Sequence, residues 1–269
     1  MLENPRSPRV RAVAKLTKRS ARTETGLFLL EGPQAVREAL TYRPEAIVEL
    51  FATPTGWERH ADIRGMAGDA GVEVEYVTEY VLNAMADTVT PQGLVAVVRQ
   101  TPTSVRDVFA SSPRLVAICE EVRDPGNLGT IIRAADAAGA DAVVLTGRTV
   151  DPYNPKVVRA TTGSLFHLPV SVGGDLADVI ARAHDAGLRI LAADVKGDDL
   201  LAARAEGVLA EPTGWLFGNE ARGLEDEALD LADRVLRLPI FGRAESLNLA
   251  TAASVCLYES AFAQRADRA

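Results

Sequence analysis

Five polar side chains in the second half of the chain have the types and spacing that binding or catalysis would use. Asn127 and Arg133 lie at the start of and within a helix of small and apolar residues that follows the apolar run 115–119. Glu220 comes directly after Gly218 and Asn219, at the end of the apolar run 215–217. Ser246 and Asn248 end the polar loop that follows a second apolar run, 235–240. Apolar strands that run into such loops are where α/β proteins hold ligands. The free amides of a helix N-terminus beside Asn127 tolerate an anion, and the planar fork of Arg133 suits a phosphate or a ribose oxygen. Taken singly, most have a plainer reading. Glu220 is also an ordinary loop acid, Arg133 also a solvent-facing or ion-paired helix residue, and Ser246 also the N-cap of the helix that follows. Asn248, inside the first turn, is harder to dismiss.

Other chemistries find no support. No GxGxxG follows a strand, and there is no P-loop and no GxSxG elbow. His60, His167 and His184 are scattered, and Cys119 and Cys256 stand alone in apolar surroundings, so no metal is expected. No apolar run reaches the ~18–20 residues of a membrane span, and the N-terminus lacks the apolar centre of a secretory signal. A cytoplasmic protein is expected. The net charge of −8 is unevenly spread: residues 1–22 hold seven basic residues against the single acid Glu3. A polyanion would meet this arm first, although a solvated basic helix with no partner reads equally well.

Two α/β alternations must position these groups. The first, residues 1–100, opens with a basic amphipathic helix after Ser7-Pro8 and continues with strands near 27–30, 46–52, 72–77 and 93–99. Residues 101–114, rich in Thr, Ser and Pro, read as a linker. The second alternation, 115–269, has strands near 115–119, 142–145, 168–172 and 188–193 before the two apolar runs named above, with helices between them. Such alternation implies a mainly parallel sheet covered on both faces. The small residues Ala250 to Ser254 suit a close intrachain or dimer contact.

Three segments of this second part, DPGNLGTIIRAADAAGA (124–140), LFGNEARGL (216–224) and LRLPIFGRAESLNLATAASVCLYE (236–259), resemble in order and spacing the three motifs of the SpoU/TrmH branch of the SPOUT RNA methyltransferases. The first part, with FLLEGPQAVREAL at 28–40, is similar to that family's ribosomal-protein-like (L30e/L7Ae-like) RNA-binding module. The resemblance implies an α/β fold with a C-terminal trefoil knot, an exception to the rule that chains do not thread their own loops. It also implies S-adenosylmethionine as cofactor and a homodimer formed through the C-terminal part. By position, Gly218, Leu238 and Leu247 would line the cofactor pocket, and Asn127, Arg133, Glu220, Ser246 and Asn248 would form the catalytic set. RNA contacts are expected from Arg9, Arg19 and Arg22 of the basic arm and from Arg159. Two departures are Ala221, where the family often has glycine, and His167, where a basic residue is common.

The implied reaction is in-line transfer of a methyl group to a ribose 2′-hydroxyl of RNA, with 23S ribosomal RNA the expected substrate. A transfer-RNA enzyme of the same family usually has basic extensions around a bare catalytic domain, whereas here a full N-terminal module is present. A catalytically silent RNA-binding or ribosome-assembly protein is the reading from a different class. A guanidinium is a poor proton acceptor at neutral pH, so Arg133 is expected to orient the hydroxyl and stabilise the developing alkoxide.

Overall fold

The apolar runs of the sequence assemble into two separate sheets, and a computed structural model describes residues 1–266. The first sheet contains β1 (Leu27–Glu31), β2 (Ile47–Ala52), β3 (Val74–Tyr76) and β4 (Leu94–Arg99) in the order β1-β4-β2-β3. β4 runs antiparallel to both β1 and β2, and β3 joins β2 in parallel. The period-two alternation of a strand sends its residues to opposite faces. Phe28, Leu30, Leu50, Leu94 and Ala96 face one apolar cluster with the helix Pro33–Tyr42. Leu29, Phe51, Val95 and Val97 face the other, against Val10, Val13 and Leu16 at the N-terminus and Val81, Leu82 and Met85. The helix Pro8–Lys15 starts where expected, with Ser7 Oγ accepting the Val10 amide. Its apolar stripe is buried and its Arg11 and Lys15 are exposed.

The chain does not divide at one point. Met1–Thr101 and Asp151–His167 form the first compact unit; Pro102–Val150 and the chain from Leu168 onward form the second. The returning segment joins the first unit through its core. Tyr153 and Phe166 lie 5.0 and 6.4 Å from Phe28, ring centre to ring centre, and Asp151 pairs with Arg22.

Arg22 requires a correction. It was expected to meet RNA, yet its side chain is only 2% exposed. Its Nη2 lies 2.6 Å from Asp151 Oδ2, and its Nη1 donates to the carbonyls of Leu16 and Thr17 at 2.8 and 3.0 Å. A guanidinium with those partners is a structural tie, not a surface ligand. Arg9 is committed to Glu49 and Glu75 and lies over the Phe51 ring, and Arg159 is paired with Glu31 and Asp87. Of the four, Arg19 alone is exposed without such a partner among the described residues.

The second sheet contains β5 (Leu115–Glu120), β6 (Ala142–Thr146), β7 (Val170–Val172), β8 (Arg189–Asp199), β9 (Thr213–Phe217) and β10 (Arg234–Arg237), all parallel, in the order β10-β8-β9-β5-β6-β7. β5, β6 and β9 are almost wholly buried, as strands covered on both faces must be. The stretch expected as a linker holds the helix Val105–Ala110, which Ser104 caps by accepting the Asp107 amide while its hydroxyl donates back to the Asp107 carboxylate. Val108 and Phe109 of this helix enter the core of the second unit.

The last helix, Leu249–Ala266, buries Ala250, Ala253, Cys256, Leu257, Ser260, Ala261 and Gln264, a stripe with the helical period. It packs on the helix Pro125–Ala138, whose own buried face includes Gly129, Ala134 and Ala135. The buried indole of Trp215 donates to Ser260 Oγ at 2.9 Å, and Gln264 donates to the carbonyls of Arg114 and Glu211. The small residues therefore serve a close intrachain contact. Among the described residues, no helix is long and apolar enough to cross a membrane.

Candidate functional site

β5 and β9 are neighbours in register, Cys119 opposite Phe217, so they end together and their loops emerge side by side. The β9 loop closes on itself: the Asn219 amide and carbonyl pair with the Gly223 carbonyl and amide at 3.0 and 2.8 Å. This turn explains Gly218, because a Cβ there would lie 2.5 Å from the Gly223 carbonyl. Asn219 Nδ2 donates across to the Glu121 carbonyl, tying the β9 loop to the β5 loop.

Glu220 strengthens that tie. Its Oε2 accepts the Arg123 amide at 3.1 Å, and its Oε1 accepts the Asp124 amide at 2.9 Å and the Asn127 Nδ2 at 3.3 Å. A carboxylate accepting three N–H groups is committed to holding the two loops, so Glu220 positions other groups and is not a free base. Asp124 caps the helix that begins at Pro125 by accepting the Asn127 amide, which fixes Asn127 in the first turn.

Asn248 completes the arrangement. Its Nδ2 donates to Asn127 Oδ1 at 2.9 Å, while its Oδ1 accepts the amides of Ala250 and Thr251. Asn248 is therefore the N-cap of the last helix, where Ser246 was a candidate from sequence. The cap and the contact with Asn127 both belong to Asn248. Ser246 is exposed two residues upstream, in a loop. A polar chain thus runs from Asn248 through Asn127 to Glu220, joining the loops after β5, β9 and β10.

Beside this chain lies a cleft of about 370 Å3 at the C-terminal ends of β8, β9 and β10. Two of the three expected cofactor-binding residues, Leu238 and Leu247, line it together with Ser246 and Glu220 of the expected catalytic set; Gly218 does not. Its fourth wall was not anticipated. Consecutive β10 residues Val235 and Leu236 pair with Ala192 and Asp198, so residues 193–197 bulge out of β8, and 193–196 of that bulge line the cleft. Gly197 permits this, because a Cβ there would collide with the Val235 carbonyl and the Leu236 amide. The sequence signal was the change from apolar ILAA to polar DVKGDD within one strand.

Charge is concentrated at the loops. Glu121 pairs with Arg123 at 3.1 Å and Arg222 at 2.7 Å; the Arg123 hydrogen bond above all, with Arg222 adding to it, holds the Glu121 carboxyl below the usual range. Arg133 is exposed on the helix Pro125–Ala138 and has no side-chain partner among the described residues. Among the described residues no three His, Cys, Asp or Glu side chains group to hold a metal.

The pattern that defines the SpoU rRNA Methylase family matches residues 114–258, more than half of the chain. The chain belongs to the SpoU rRNA methylase family. An MRM3-like substrate binding domain matches residues 7–96 of this SpoU protein. The 23S rRNA (guanosine(2553)-2′-O)-methyltransferase RlmP of Bacillus subtilis is 33% identical over 257 residues, covering 96% of this chain and 97% of its own. The 23S rRNA (uridine(2479)-2′-O)-methyltransferase of Streptomyces viridochromogenes is 30% identical, covering 92% of this chain and 86% of its own. The crystal structure of an AdoMet-bound rRNA methyltransferase from Sinorhizobium meliloti has a TM-score of 0.81 at 32% identity, covering 96% of each chain.

Proposed function

We propose that this SpoU protein transfers a methyl group from S-adenosylmethionine to a ribose 2′-hydroxyl of 23S ribosomal RNA, in the cytoplasm. The observation that carries the reading is the hydrogen-bonded chain Asn248–Asn127–Glu220 beside the cleft, which unites residues from all three family motifs. Relatives along nearly the whole chain are 23S rRNA 2′-O-methyltransferases by name, which supports the choice of substrate.

The cleft fits the cofactor in chemistry as well as size. A volume of about 370 Å3 lies within the ~300–1,000 Å3 of small-molecule sites. Leu236, Leu238, Ile240 and Leu247 offer apolar walls for a ring, and Asp194, Lys196 and Ser246 offer polar groups for a ribose and an amino-acid end. When bound, S-adenosylmethionine supplies an electrophilic methyl group on its sulfonium. The protein's part is to position the reactants. Asn127 and Asn248 hold the loops in register, and Glu220 keeps Asn127 oriented. Arg133, with its free guanidinium, orients the 2′-hydroxyl and stabilises the developing alkoxide. A guanidinium is a poor proton acceptor, which leaves the hydroxyl proton to an RNA phosphate or to water.

Further parts of the reading concern architecture and partners. The last 30 residues or so of the described chain form a trefoil knot; the bulge at 193–197, its crossing of β10 at Gly197, and the buried seat of the last helix support this. A homodimer forms on the outer face of that helix, where Val255, Tyr258 and Phe262 remain exposed at helical spacing. The first unit is an L30e/L7Ae-like RNA-binding module that uses Arg19 with the exposed Arg11, Lys15 and Lys18.

Calorimetric titration of the full chain with S-adenosylmethionine tests the core of this reading. Saturable binding, lost when Leu247→Asp puts a charge into the cleft, is expected. A wild-type protein that takes up no cofactor is instead a binding-only member of the family, and the proposal fails.

A further inference from the structure

Residues 238–247, which connect β10 to the last helix, make no hydrogen bond with one another or with any other described residue. The loop is held by its ends and by Leu238, Ile240 and Leu247, which line the cleft. Between them stands Phe241, which does not line the cleft. At 88% exposure it is the most exposed aromatic side chain among the described residues. The next residues are the exposed Gly242, Arg243, Ala244, Glu245 and Ser246.

An exposed phenyl ring followed by the small and polar run Gly242 to Ser246 is a poor seed for a protein interface, whose core is an apolar patch depleted of charge. It is a good platform for a nucleobase. Every base presents a π face, and stacking on an aromatic ring is tolerant of sequence. Proteins recognise unpaired RNA bases in this way, commonly with an arginine nearby for the plane of a base or a flanking phosphate. The position within the loop is also suited to the reaction: Ile240 before the ring lines the cleft, and Ser246 and Asn248 follow five and seven residues later.

We infer that Phe241 is a stacking platform for the base of the target nucleotide, with Arg243 meeting its flanking phosphate, so that the substrate is an unpaired nucleotide in a loop or bulge of the RNA. This rests on the methyl-transfer reading above and adds what holds the base. Phe241 acts on positioning and touches neither the methyl group nor the hydroxyl. The free loop closes on the RNA and sets its own conformation when the base docks.

The test uses the full chain, in vitro transcribed 23S rRNA as probe, and radiolabelled S-adenosylmethionine. Phe241→Ala raises the KM for the transcript about tenfold while kcat changes less than threefold and calorimetric cofactor affinity is unchanged. Phe241→Trp restores the wild-type KM, and Phe241→Leu, equally apolar but without a π face, does not. Wild-type kinetics for Phe241→Leu or Phe241→Ala would overturn the inference. So would a fall in molar mass by light scattering for Phe241→Ala, which would show the ring packed against a second copy. A wild-type enzyme that methylates no RNA at all would bring down the functional reading itself, and this inference with it.

Discussion

Asn248 and Asn127 lie 121 residues apart in sequence and meet at 2.9 Å, the amide of the first donating to the carbonyl of the second. The same Asn248 side chain caps the last helix through its oxygen. The seat of that helix and the geometry of the site are therefore coupled through one amide group. Both ends of the amide are used, which leaves no rotamer or flip that preserves the arrangement.

Asn248→Asp separates the two roles. Aspartate caps a helix as well as asparagine, so stability should hold within about 0.5 kcal/mol. It cannot donate to Asn127, and kcat/KM for methyl transfer should fall about 10- to 100-fold. Asn248→Ala should lose both. Urea midpoints and steady-state kinetics measure the pair of effects, and full activity in the aspartate variant would show that the contact with Asn127 is idle.

Glu220→Gln replaces one acceptor oxygen with an amide that repels the N–H groups of Arg123 or Asp124. The loops after β5 and β9 should come apart locally, costing about 1–2 kcal/mol because the site is partly open to solvent. Hydrogen exchange of the Arg123 and Asp124 amides reads this directly. Unchanged protection would mean that Glu220 does not hold the loops.

Arg22 and Arg19 should behave as opposites. Arg22→Ala strands the carboxylate of Asp151 and should destabilise the fold by about 3–5 kcal/mol. Arg19→Ala should leave stability within about 0.5 kcal/mol and lower the slope of log affinity for RNA against log salt by about 0.7–0.9. Denaturant unfolding and RNA binding at several salt concentrations distinguish them.

The cysteines should be silent. Burial, with the Glu220 charge adding to it, pushes the Cys119 thiol up to about 12, and burial raises Cys256 as well. Neither thiolate forms between pH 7 and 9, so a thiol reagent should leave the native protein unlabelled and label two sites after denaturation. Labelling of one site in the native protein would show that the second unit opens locally.

How much of this was legible in the sequence depended on distance along the chain. Strand positions and the cap at Ser7 are local and were readable. So were the loops bearing Asn127, Glu220 and Asn248, because each follows an apolar run. Choosing between Ser246 and Asn248 as cap was not possible locally, since both types cap well and the choice is made by where Asn127 lies. Arg22 belongs to a basic run whose other members are exposed, and its partner Asp151 is 129 residues away. The bulge at 193–197 arises from a register change against β10, which is formed some 40 residues later. The linker expectation missed the helix Val105–Ala110 because its Ser104 and Asp107 also read as loop residues.

The most direct measurement is mass-spectrometric mapping of ribose methylation in 23S rRNA after incubation of the unmodified transcript with the protein and S-adenosylmethionine. One new 2′-O-methyl nucleotide is expected, unpaired in the RNA and absent when Arg133→Ala replaces the wild-type protein at equal cofactor binding. Methylation of a base, no methylation, or an unchanged product with Arg133→Ala would contradict ribose methyl transfer at this site.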